Sequence, residues 1–80
     1  KGIMLTPLHD EVQTGQQELF IIISGSAEFE LDGEKQIIKA GELVFCEPIV
    51  ERKADAVQDG TIMITIGGAP GKAYPKPDWV

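Results

Sequence analysis

From Glu18 to Ser24 the chain reads Leu19-Phe20-Ile21-Ile22-Ile23 with no polar break. A run this short, apolar and β-branched predicts a strand covered on both faces, so it belongs in the middle of the fold. The next run differs. In "AEFELD" the residues Ala27, Phe29 and Leu31 alternate with Glu28, Glu30 and Asp32, which predicts a strand with one wet face. Further short runs rich in Ile, Val and Phe lie between glycines, and no convincing helical period appears. The predicted strands are Gly2–Leu5, Glu18–Ser24, Ala27–Leu31, Lys35–Ile38, Leu43–Cys46, Arg52–Ala56 and Thr61–Ile66. Asp32-Gly33 is the strongest hairpin signal because that pair supplies the positive φ angles of a tight turn, and Asp59-Gly60 repeats it. Short strands with regular turn signals predict an all-β domain, a small antiparallel barrel or sandwich.

The 80 residues make one domain with a thin core, for which a homodimer partner is expected. The contact is expected through the N-terminal strand or through the irregular tail, Ala69–Val80, where Tyr74 and Trp79 are packing anchors. The net charge of −6 argues against nucleic acid and against an anionic membrane surface. A single cysteine, Cys46, excludes an intrachain disulfide. With no visible signal peptide and no apolar run near the roughly 20 residues of a membrane helix, the expected compartment is the cytoplasm.

The spacing of Glu18, six residues and Gly25, with Gly41 opening "GELVFCEP" after a hairpin, resembles the cupins. The resemblance runs from about Leu5 to Ile66 and implies a small antiparallel jelly-roll β-barrel. In that family the first motif carries His-x-His and Glu, the second carries another His, and these four side chains bind a metal. Only the glutamate carries over, as Glu18. Counting back from it places the histidine pair at Val12 and Thr14, or at Glu11 and Gln13. Counting forward from Gly41 places the second-motif histidine at Arg52. A guanidinium offers only donors and a fixed positive charge, which repels a metal. The expectation is therefore a cupin that has lost its metal. Its buried Glu18 is then neutralised by Arg52, with Phe20 and Cys46 beside them in a ligand-binding interior.

The remaining candidates are weaker by chemistry. His9, nine positions before Glu18 in the polar stretch "TPLHDEV", is expected at the surface. If the loop is long enough to return it to the mouth, His9, Glu11 and Glu18 form an improvised site for a divalent transition metal, with Cys46 or Glu47 in reserve. Cys46 ends an apolar strand and reads as a small buried hydrophobe, not a nucleophile. Three functions follow. The first is a non-catalytic small-molecule-binding or structural domain with no cofactor. The second is a metal-dependent enzyme, dioxygenase- or isomerase-like, with non-standard ligands. The third is a protein-interaction module. The fold does not choose among them.

Overall fold

The computed structural model describes residues 2–69. Tyr74, Trp79 and the rest of the expected packing tail from residue 70 onward lie outside the described residues. Seven strands form two antiparallel sheets. They are β1 (Met4–His9), β2 (Gln17–Ser24), β3 (Ser26–Leu31), β4 (Glu34–Lys39), β5 (Leu43–Cys46), β6 (Arg52–Ala56) and β7 (Ile62–Gly68). One sheet has the order β1-β6-β3-β4 and the other β5-β2-β7. Among the described residues no helix is long and apolar enough to cross a membrane.

The core lies between the sheets. Phe20 and Ile22 of β2 and Val44 and Cys46 of β5 face Ala27 and Phe29 of β3, Ile38 of β4 and Ala54 of β6. Phe20 and Phe29 meet edge to face with ring centroids 5.5 Å apart. Each fully buried ring contributes about 1.5–3 kcal/mol through removal from water, and the tilted geometry adds to that. The β3–β4 turn is the expected tight one, with Asp32 at φ 50° and Gly33 at φ 86°. Gly25 bends the chain from one sheet to the other at φ 75°. A Cβ there would lie 2.8 Å from the Thr61 Cα, so only glycine fits.

Two expectations need correction. The first strand is not Gly2–Leu5; it starts at Met4 and continues to His9, because pairing with β6 extends to His9 opposite Arg52. Polar composition made "TPLH" look like a loop, and cross-strand pairing overrides that local preference. Second, β2 is the middle strand of its sheet, yet only one of its faces is covered by the described residues. Phe20 and Ile22 are buried, and Ile23 is half-exposed.

Candidate functional site

The chemistry gathers at one end of the sandwich. β6 alternates strictly: Arg52, Ala54 and Ala56 point inward and Lys53 and Asp55 outward. Arg52 is thus carried into the interior by the phase of its strand and is completely buried. Across the gap, β2 turns Glu18 inward in phase with Phe20 and Ile22, and pairs it with Cys46 of β5. Arg52 Nε donates to Glu18 Oε1 at 3.0 Å. Arg52 Nη1 donates to the carbonyls of Glu47 and Pro48 at 3.5 and 3.4 Å, and to that of Val50. One guanidinium thus neutralises the acid and holds the β5–β6 loop. Its Nη2 is buried with no hydrogen-bond partner among the described residues.

His9 ends β1 directly opposite Arg52. Its Nδ1–H donates to the Pro7 carbonyl at 2.7 Å. A carbonyl can only accept, so this bond fixes the tautomer and leaves Nε2 as the lone-pair nitrogen of the neutral ring. Nε2 stands 3.2 Å from Glu11 Oε2 and 3.3 Å from Glu18 Oε1. Thr14 Oγ1 donates to the other Glu11 oxygen at 2.7 Å, and the Glu11 amide donates to the Pro48 carbonyl at 2.9 Å. The β1–β2 and β5–β6 loops are therefore tied together at Pro48, which fixes Glu11 over the mouth.

The ligand atoms of His9, Glu11 and Glu18 all lie within 4.8 Å of one another. Neighbouring ligands on one metal at about 2.0–2.2 Å stand about 3 Å apart, so this donor set fits a divalent ion. Glu18 Oε1 has two lone pairs and can face Arg52 and a cation together. The two carboxylates exceed the single Arg52 charge, which leaves the cluster net negative.

Of the expected site residues, Glu18 and Arg52 are brought into direct contact. His9 and Glu11 join them, because the loop from residue 10 to 16 is longer than the family spacing assumes. Val12 points away into solvent, while Thr14 serves only as a support for Glu11. Cys46 is buried beside the pair. Burial pushes its thiol pKa above 9.0; Arg52 opposes that shift, and Glu18 and Asp32 reinforce it. Phe20 lies deeper, in the ring pair with Phe29. Glu47 turns its side chain outward to Gln17 Nε2 at 3.1 Å and takes no part. The supporting roles of Thr14 and Pro48 were not anticipated, although the strict alternation of "RKADA" does signal that Arg52 faces inward with Ala54 and Ala56.

The family model described as a cupin domain matches residues 7–66. No curated protein matches the sequence. Among solved structures, a cupin protein from Bacteroides fragilis is similar at 26% identity and a TM-score of 0.75, covering 95% of this chain and 64% of the other. KdgF from Halomonas sp. is similar at 22% identity and a TM-score of 0.72, covering 84% of this chain and 58% of the other. The chain thus spans about three fifths of the length of these solved relatives. With the two facing antiparallel sheets and the family match over most of its length, the chain belongs to the cupin family.

Proposed function

We propose that this cupin domain binds a divalent cation at the mouth of the sandwich through His9 Nε2, Glu11 and Glu18. The observation that carries this reading is the orientation of His9. With Nδ1–H committed to Pro7, a neutral ring aims a lone pair at two carboxylate oxygens. Three acceptors that converge in this way repel one another unless a cation, or a proton on Nε2, lies among them. One imidazole and two carboxylates suit hard or borderline ions such as Mn²⁺, Fe²⁺ or Zn²⁺. A bound ion would supply Lewis acidity and a docking point for an oxygen-bearing small molecule. The residues around it have separate tasks. Pro7 holds the His9 ring, Thr14 holds Glu11, and Arg52 orients Glu18 while limiting the charge of the cluster.

A second reading keeps the domain metal-free, as a ligand-binding or structural cupin. It is favoured by Arg52 Nε, which already gives Glu18 a permanent cation at 3.0 Å. In that case one Nε2–H of His9 is shared between the Glu11 and Glu18 oxygens.

Untagged, chelator-stripped protein titrated with Mn²⁺, Zn²⁺ or Ni²⁺ separates the two. Saturation at about 100 times the dissociation constant is expected to add about 2.7 kcal/mol, a rise in Tm on the order of 10 °C. The rise should reverse with chelator and vanish in Glu11→Gln and His9→Ala. No shift with any of the ions leaves the metal-free reading.

A further inference from the structure

The outer face of the β5-β2-β7 sheet is apolar along its centre. The register stacks Phe45, Leu19 and Ile66 in one row and Leu43, Ile21 and Ile64 in the next, with Ile23 and Ile62 beyond them. Leu43, Phe45, Ile23, Ile62, Ile64 and Ile66 are each between 46% and 58% exposed. Contiguous apolar surface of this kind marks a place where something docks. At the first row the face hollows into a groove of about 310 Å³, walled by Leu19, Phe45 and Ile66 and reaching to Ala69. The chain thus passes into residues 70–80 from the wall of the groove itself.

We propose that residues 70–80 turn back over this face and cover it, with Tyr74 seated in the groove and Trp79 over Ile23 and Ile62. Four observations carry this. The stretch Ala69-Pro70-Gly71-Lys72 has the signature of a type II turn, with proline second and glycine third, so it reverses the chain as β7 ends. The reversed segment runs from the Ile66 row toward the Ile62 row. Its length fits. Tyr74 and Trp79 are five residues apart in a stretch held extended by Pro75 and Pro77, a reach of about 15 Å at 3.1 Å per residue. Leu19 and Ile23 are four strand residues apart, about 13 Å. The prolines are no obstacle, because the segment lies on a face and joins no sheet edge. Charge agrees as well. The tail holds Lys72 and Lys76 against the single acid Asp78, whereas the chain as a whole has a net charge of −6. At the groove, Gln17 holds the carboxylate of Glu47, with Nε2 donating to Oε2 at 3.1 Å. Finally, a segment tethered at the groove by five residues meets it at an effective concentration in the millimolar range, above that of a free partner at micromolar levels. The inference does not rest on the metal site, which lies between the sheets on the other side of β2.

Trp79 is the sole tryptophan, so its fluorescence reports on the tail alone. In the folded 80-residue chain its emission is expected to lie to the blue of that in the guanidinium-unfolded chain, and acrylamide should quench it several-fold less. That protection should be the same from about 1 to about 100 µM. Tyr74→Ser and Phe45→Glu should each remove most of it and leave the β-sheet circular dichroism intact. Tyr74→Ser lies outside the strands and decides the matter if Phe45→Glu fails to fold. Ile23→Cys combined with Trp79→Cys, oxidised at about 1 µM, should form a disulfide within one chain, with Cys46 buried and unreactive. A Trp79 as open to acrylamide as in the unfolded chain overturns the proposal. Protection that fades on dilution, or a double-cysteine protein that oxidises to a covalent dimer, overturns it in favour of a second copy as the cover. Protection that survives Tyr74→Ser, or a double-cysteine protein whose thiols stay free, also overturns it and places Trp79 elsewhere.

Discussion

Arg52 is the residue on which the site turns, because three of its effects share one guanidinium. It answers the charge of Glu18, it holds the carbonyls of the β5–β6 loop, and it fills interior space. Removing one partner of a buried pair leaves the other charge uncompensated, so Arg52→Met is expected to cost roughly 3–5 kcal/mol. For a domain of this size that lowers Tm by well over 10 °C. Glu18→Gln combined with Arg52→Met should cost less than the sum of the single changes, and thermal melts of all four proteins read the coupling directly. Cys46 makes a separate prediction. Its thiol pKa is raised in the folded state, chiefly by burial. The unfolded chain therefore loses this proton first as pH rises. The contribution of Cys46 is intact below pH 9.0 and is lost as pH rises from there through the higher folded value. Denaturant titrations from pH 7 to 10 should show this loss, and Cys46→Ala should remove that part of it. The Glu18–Arg52 contact was legible through the resemblance, which places both residues at metal-ligand positions of the family's two motifs. The place of His9 was not. Its distance from Glu18 in space depends on the path of the loop from residue 10 to 16, and sequence spacing alone does not constrain that path.

At the scale of elements, turn chemistry makes the fold legible. Asp32-Gly33 marks a hairpin because its φ angles exclude most residues, and six of the seven strands lie within two residues of their expected ends for similar reasons. β1 is the exception, since its polar segment is a strand only through β6. Two glycines show how turn requirements differ in severity. Gly33→Ala meets open space and suffers only from its positive φ, a cost of about 1–2 kcal/mol. Gly25→Ala adds a collision with the backbone of Thr61, whose hydroxyl donates to the Gln58 carbonyl at 2.6 Å and lies 3.1 Å from that of Ser26 where the sheets join. Its cost should exceed that of Gly33→Ala by a further 1–3 kcal/mol or so, measurable as a lower urea midpoint with an unchanged m-value.

At the scale of the whole molecule, the uninterrupted run of β2 carried more information than the isolated fold uses. The sequence called for cover on both faces, and the described residues provide one. The order of the sheets has another consequence, for the timing of folding. β1 must wait for β6, and β2 for β5 and β7; only β3 and β4 pair with a sequence neighbour. Loop closure must precede most of the contacts that reward it, so folding is expected on a millisecond-to-second scale, slow for so short a chain. The β3–β4 hairpin can form early. Gly33→Ala should then slow refolding in stopped-flow measurements more than it speeds unfolding. During that interval the apolar β2 segment has no partner strand, and it is the part of the chain most exposed to pairing with another unfinished copy.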